Sequence, residues 1–338
     1  MIPYNVLFLT DRGERHQQHV LQAAPPQLAV TLLRTPTRET LFAALPQTHF
    51  LITERNQPVT AEMIKAAQRL KLIVRLGSLT YDIDVDAAVR RNIVVSMVPV
   101  IGVIYCAEHA LMMLLALSKR LGRSLAAALA AEHGQEAQRG DENTFAFNWL
   151  GYTDLTGLAG KTISIMGMGE IGVELARRLR PFRPARVLYH KRTRYPASVE
   201  TELGITYADL PTCVREADYA VSLLPYSAQT DYRNGGGLDS RILALFKPGA
   251  MLVHLGSGSV LDEAALLERL RAGLLGGVAL DTYEYEPLQK DHPLVAAARD
   301  PRFNLLLTPH TAAAGASADR SGDYQPILDY LQIPSNAE

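Results

Sequence analysis

Apolar residues along this chain fall into short runs of three to five, separated by longer stretches in which they recur every three or four positions. Residues 6–9, 30–33, 50–52, 72–74 and 93–95 are β-type runs, and the stretches between them, such as residues 61–69, carry the helical period. Strand and helix alternate, which predicts a parallel sheet. A longer helical stretch runs from about Tyr105 to Leu125, and residues 132–144 then turn polar, as a surface connection does. From Lys161 the alternation restarts with strands expected at residues 162–166, 186–189, 219–223, 251–254, 277–280 and 305–307. Six strands with helices between them predict a second doubly wound unit. Met1 to Thr10 reads as a strand, and the tail after Pro309 is rich in Ala, Gly and Ser before becoming weakly amphipathic. The pattern therefore predicts an α/β protein of two doubly wound parallel-sheet domains: residues 1–100 joined by 311–338, and residues 101–310.

Composition narrows the partners. At 338 residues the chain has the length of two ordinary domains, and a net charge of −1 provides no field to gather nucleic acid or an anionic membrane. Cys106 and Cys213 lie far apart and form neither a disulfide framework nor a metal cluster, so no metal is expected and both should be buried thiols in a reducing cytosol. The N-terminus lacks a basic leader, and the longest apolar stretch, residues 110–117, is short of the roughly 20 residues of a spanning helix. A soluble cytoplasmic protein is expected.

The candidate chemistry begins at Gly167, Met168, Gly169, Glu170, Ile171 and Gly172. Glycines at this spacing are a weak signal alone, but here they follow a five-residue apolar strand and open a helix. Gly167 can make the tight turn, Gly169 can admit a pyrophosphate to the backbone, and Gly172 can let helix and strand pack closely, while the helix N-terminus offers N–H groups to the phosphates. The alternative is a glycine-rich turn with no ligand. Where an NAD binder commonly places an acid on the ribose 2′-hydroxyl, this chain reads Tyr189, His190, Lys191, Arg192, Thr193 and Arg194. Three cations and a hydroxyl suit a 2′-phosphate, which favours NADP over NAD; a solvated basic loop tolerating either cofactor is the alternative.

Leu280, Asp281, Glu286 and Pro287, followed 24 residues after Glu286 by His310 in the segment Leu307, Thr308, Pro309, His310, form a signature that resembles the D-isomer-specific 2-hydroxyacid dehydrogenases. Residues 85–95, Ala107 to His109 at the start of the long helix, Leu224 with Pro225, and residues 247–250 extend the resemblance over nearly the whole chain. The family implies a flavodoxin-like substrate domain with a Rossmann dinucleotide-binding domain. It also implies a homodimer joined through the cofactor domains; residues 110–117 could serve that interface or be core. By resemblance, His310 is the general acid/base that gives a proton to the substrate carbonyl, Glu286 orients it, Asp281 accepts from the nicotinamide carboxamide and Pro225 lies at the cofactor. The chemistry is sound on its own terms, because a reduced carbonyl must gain a proton, histidine titrates near neutrality and a carboxylate fixes its tautomer.

One member of the constellation is absent. The family's arginine lies 29 residues before the glutamate, and this chain has Ser257 there, between Gly256 and Gly258. Serine supplies neither a charge nor a paired donor for a substrate carboxylate, and such a loss typically costs on the order of 10²-fold in rate. The carboxylate-binding loop reads Gly77, Ser78, Leu79, with leucine where the family commonly has glycine; Gly102 stands where formate dehydrogenase has asparagine, and His254 where asparagine precedes the arginine. His254 and Ser257 could form a new polar pair that recognises substrate, or His254 could merely end a strand, and Arg75 could supply the missing charge. Two functions compete. One is an NAD(P)-dependent oxidoreductase moving a hydride between cofactor and a 2-keto/2-hydroxy acid; the other is a dinucleotide-binding sensor or scaffold of the same fold with impaired catalysis. The retained Glu286 and His310 favour the enzyme.

Overall fold

The structure is a computed structural model that describes residues 3–54, 57–132, 134–144, 147–316 and 319–332. Met1, Ile2 and residues 333–338, part of the expected first strand and of the tail, lie outside the described residues. The chain divides into two compact units, Met1–Ile104 with Gly315–Glu338, and Tyr105–Ala314.

In the first unit, β1 (Tyr4–Thr10), β2 (Leu28–Arg34), β3 (Phe50–Thr53), β4 (Leu72–Leu76) and β5 (Val94–Val98) form a parallel sheet in the order β2-β1-β3-β4-β5. Successive side chains alternate between its faces. Leu7, Leu9, Leu51 and Ile73 join Leu41, Met63, Ile64 and Ala88 on one side. Val6, Phe8, Ile52 and Val74 join Val20, Tyr324 and Ile327 on the other. Both faces are covered, which is why the strands read as unbroken apolar runs. The tail supplies part of that cover: Tyr324 is fully buried and donates to the Val20 carbonyl at 2.8 Å, just before helix Gln325–Leu331.

The second unit holds β6 (Thr162–Met166), β7 (Arg186–His190), β8 (Thr206–Tyr207), β9 (Tyr219–Ser222), β10 (Ala250–His254), β11 (Leu275–Leu280) and β12 (Leu305–Leu307), parallel throughout, in the order β12-β11-β10-β9-β6-β7-β8. The direction of winding reverses between β6 and β9. Open α/β sheets leave a crevice at such a point, outside the carboxyl ends of the strands.

Four features depart from the sequence expectation. The sheet has a seventh strand, β8, whose two residues are too few to show a period. The expected helix from Tyr105 to Leu125 is two, Ile101–Ser118 and Leu121–Ala130. Arg120 breaks it by taking a left-handed backbone (φ 45°), and Arg120 and Arg123 both pair with Asp154 at the turn. The apolar pattern runs straight through this break, so periodicity alone could not find it. Helix Ile101–Ser118 is also long and apolar enough, by length and composition, to cross a membrane, contrary to the reading of residues 110–117. Its Ala107, Ala110, Met113, Leu114 and Leu117 are buried, as in a core helix. Cys106 is only half-buried rather than enclosed, whereas Cys213 is buried and its thiol is pushed up to about 12 by desolvation.

Candidate active site

The glycine loop sits at the β6/β9 reversal. Gly167 has φ +92°, and a Cβ there would lie 2.5 Å from the Leu223 carbonyl oxygen, so only glycine fits. Its N–H and that of Met168 both donate to the His190 carbonyl at 3.0 Å, tying the loop to the end of β7. Gly169 is the N-cap of helix Glu170–Leu179, and a Cβ on it would meet nothing within 4 Å: the space in front of the helix is open. Gly172, in the first turn after Glu170 and Ile171, lies so close to β6 that a Cβ would be 2.8 Å from Met168 Sδ and 3.3 Å from Ile165 Cγ2. Tight turn, open approach and close packing thus fall on the three glycines in the order a pyrophosphate requires. Pro225 lies exposed just beyond β9, its carbonyl accepting from Thr230 Oγ1 at 2.7 Å.

The basic run after β7 is less available than its composition suggests. Arg194 forms a two-point pair with Glu200, Nε to Oε1 at 2.8 Å and Nη2 to Oε2 at 2.7 Å, so its charge is neutralised by a residue of the following helix. His190 Nδ1 donates to the Ala208 carbonyl at 3.3 Å, and Lys191 Nζ lies 3.8 Å from the centre of the Tyr195 ring. Arg192 and Thr193 are exposed, and Arg192 has no hydrogen bond or ion pair among the described residues.

At the ends of β11 and β12 the structure brings Glu286 and His310 together, Nδ1 to Oε2 at 2.7 Å. Glu286 is itself held, since its Oε1 accepts from the Tyr283 N–H at 3.0 Å. With Nδ1–H committed to the carboxylate, Nε2 is the nitrogen left to meet another group, and the imidazole is 61% exposed. His310 has φ +53°, a left-handed backbone that costs a non-glycine residue about 1–2 kcal/mol and needs support from its surroundings. That support comes from Asp281. Its carboxylate is fully buried and accepts from Thr308 Oγ1 at 2.6 Å, the Thr311 N–H at 2.9 Å and the Ala312 N–H at 3.0 Å. His109 Nε2 lies 3.1 Å from Thr308 Oγ1 and 3.5 Å from Asp281. Sequence reasoning missed Thr308 and His109 as part of this assembly, because His109 stands about 200 residues away in the chain and nothing local marks the contact.

The turn after β10 carries the substituted position. A Cβ on Gly258 would lie 1.8 Å from the Tyr283 carbonyl oxygen, and Thr282 Oγ1 donates to the Gly256 carbonyl at 2.6 Å, so residues 256–258 are pinned to the segment that carries Glu286. Ser257 is half-buried, with φ −68° and ψ 135°; its N–H donates to the Leu224 carbonyl at 3.0 Å, and its hydroxyl has no partner among the described residues. The expected polar pair with His254 takes a different form. His254 is fully buried and its Nε2 donates to the Ser257 backbone carbonyl at 3.2 Å rather than to the hydroxyl, so the imidazole braces the turn, while its Nδ1 is buried without a hydrogen-bond partner among the described residues. Burial pushes its pKa down to about 4.

The unfolded His254 imidazole, near 6.5, binds a proton that the folded one refuses until about pH 4. Its contribution to stability is therefore present above about pH 6.5 and lost as pH falls, amounting to about 3 kcal/mol by pH 4. Urea unfolding of the parent and of His254→Gln between pH 7.5 and 4 should show the steeper acid loss in the parent. Parallel curves would mean that the imidazole is not buried neutral.

In the first unit, Gly77 (φ +151°) donates to the Val98 carbonyl at 2.8 Å, and Ser78 and Leu79 are buried at the end of β4. Leu79 is packed rather than projecting. Arg75 is fully buried, with Nε 3.2 Å from Asp82 Oδ1, so it is committed to Asp82 and does not supply a free charge.

Comparison with known proteins bears directly on this arrangement. Residues 112–312 match the family model for the D-isomer specific 2-hydroxyacid dehydrogenase, NAD binding domain. The chain is 32% identical over 304 residues to a glyoxylate reductase of Thermococcus kodakarensis, covering 89% of this chain and 84% of that protein. It is 32% identical to a D-3-phosphoglycerate dehydrogenase of Mycobacterium tuberculosis over 88% of its own length, spanning about half (51%) of that longer protein. A crystal structure of a Pyrococcus horikoshii protein superposes with a TM-score of 0.57 at 25% identity, over 99% of this chain and 95% of the other. The chain belongs to the D-isomer specific 2-hydroxyacid dehydrogenase family and is an oxidoreductase that uses a nicotinamide cofactor.

Proposed function

We propose that this chain reduces a 2-keto acid to the corresponding 2-hydroxy acid with NADPH, without the family's arginine. The observation that carries this reading is the 2.7 Å contact between His310 Nδ1 and Glu286 Oε2. The bound nicotinamide supplies the hydride to the carbonyl carbon. The protein's part is the proton: Glu286 fixes His310 with Nε2 toward the substrate, and the protonated ring gives its Nε2 proton to the carbonyl oxygen as that oxygen gains charge. Gly167, Gly169, Glu170, Ile171 and Gly172 hold the pyrophosphate against the backbone and helix N-terminus, with Pro225 bordering the same crevice. Ser257 contributes its hydroxyl to the substrate in place of the guanidinium. The sensor reading rests on Ser257 and Leu79; a retained and oriented acid/base pair weighs against it.

NADP is the proposed cofactor because Lys191, Arg192 and Thr193 stand where the 2′-substituent would lie, with Arg192 uncommitted among the described residues. Arg192→Ala should lower the ratio of kcat/KM for NADPH to that for NADH about tenfold or more, the worth of a charge-assisted hydrogen bond. An unchanged ratio would remove Arg192 from the 2′-site. A homodimer and a cytoplasmic location complete the proposal. Leu121, Leu125 and Leu129 are exposed at four-residue intervals on one face of helix Leu121–Ala130, as a subunit contact requires, and Cys106 and Cys213 are unpaired thiols. The function itself is tested by chiral chromatography of the product formed from glyoxylate, hydroxypyruvate, phenylpyruvate or 2-ketoisocaproate with NADPH. A D-2-hydroxy acid from the three prochiral substrates, hydroxypyruvate, phenylpyruvate and 2-ketoisocaproate, supports it, and a racemic or absent product opposes it.

A further inference from the structure

We propose that Asp281 is a positioning residue for the reaction: its buried carboxylate clamps both flanks of His310 and so aims the imidazole at Glu286. The inference rests on the reading of His310 as the proton donor and adds to the carboxamide contact expected of Asp281.

His310 occupies a left-handed backbone that is uncommon for a residue other than glycine. Restraint is present on both sides of it. Two residues before His310, the Thr308 hydroxyl donates to Asp281 Oδ1; one and two residues after it, the N–H groups of Thr311 and Ala312 donate to Oδ1 and Oδ2. One carboxylate therefore gathers three donors that straddle a single residue, and it does so with no exposure to solvent. Hydrogen bonds to an ionised acceptor at full burial are the strong ones. The hydroxyl proton of Thr308 is spent on Asp281, so His109 must donate its Nε2–H to the Thr308 oxygen at 3.1 Å. Helix Ile101–Ser118 thereby backs the clamp from behind. Tyr283 closes the set: its hydroxyl lies 2.8 Å from the Thr308 carbonyl, and its N–H holds Glu286 Oε1 at 3.0 Å. The two members of the dyad are thus referred to the same short framework, and Glu286 receives His310 at 2.7 Å because both strand ends are tied to it. Oδ2 retains a lone pair beyond its bond to Ala312, so the clamp leaves capacity for a further donor.

Thr308→Val tests this without touching the carboxylate, and Thr308→Ser is the control that keeps the hydroxyl. On the 338-residue chain, three readouts are needed: hydrogen exchange of the 308 and 310–312 amides, the NMR resonance of the His310 Nδ1 proton, and kcat beside the dissociation constant for NADPH. Thr308→Val should speed exchange at 311 and 312, broaden or shift the His310 resonance and lower kcat about tenfold with NADPH binding unchanged; Thr308→Ser should restore all of them. Asp281→Asn should do the same more severely, because its amide N–H opposes a backbone donor. Exchange and resonance unaltered in Thr308→Val would overturn the clamp, as would an Asp281→Asn whose only defect is weaker NADPH binding. The exchange and NMR readouts decide the matter even where the parent shows no turnover, a result that would count against the proposed reaction instead.

Discussion

His310→Ala is expected to lower kcat for 2-keto acid reduction by 10² to 10⁴ while leaving NADPH binding within about twofold of the parent. The size follows from what the imidazole does. Hydride transfer leaves an alkoxide unless a proton arrives in concert, and in this site the Nε2 of His310 is the nitrogen left to bring it once Nδ1 is held by Glu286. Cofactor binding should be spared because the glycine loop is built by β6, β7 and β9, and none of its hydrogen bonds involves His310. Steady-state kinetics with a direct NADPH titration checks both halves. A variant that keeps more than a tenth of the parent's kcat would show that water or another group delivers the proton.

The second large effect runs the other way. Ser257→Arg should raise kcat/KM for simple 2-keto acids by on the order of 10²-fold, since it restores a cation and a paired donor for the substrate carboxylate and carbonyl. The backbone can accept it. Position 257 has an extended conformation open to any L-residue, and the lost hydroxyl has no partner among the described residues. The turn stays in place because its neighbours, not Ser257, pin it: Gly258 against the Tyr283 carbonyl and Gly256 through Thr282. An unchanged or lower kcat/KM, measured on glyoxylate and phenylpyruvate, would mean that the pocket has been rebuilt for a substrate without a simple carboxylate at this point.

Much of the site was legible in the sequence because its parts carry local signals. The glycine loop joins an apolar run to a helical period, and each glycine meets the steric demand inferred from its position. The dyad was readable from Glu286 and His310 together, though not from either alone. What stayed hidden depends on partners remote in the chain or on burial. Arg194 looked like part of a phosphate site until Glu200 took its guanidinium. His254 reads as a ligand group, yet strand register places it beside Ser222 and Leu280 in the sheet interior, where its Nε2 binds the adjoining turn. Arg75 looked like a spare cation until Asp82 was found beside it. The resemblance ties Asp281 to the cofactor, whereas the fold brings three donors around His310 to converge on it. The fold itself is legible where strands have three residues or more and is missed at β8, which has two.

Oxidation of NADPH by the purified chain, followed at saturating cofactor with glyoxylate, hydroxypyruvate, phenylpyruvate and 2-ketoisocaproate, tests most directly whether the reaction survives without the arginine. The expected result is steady consumption with at least one of these acids, matched by equimolar 2-hydroxy acid and lost in His310→Ala. Intact NADPH binding with no consumption by the parent, and turnover appearing only in Ser257→Arg, would contradict it and identify a protein that holds the dinucleotide but no longer performs the family's reaction.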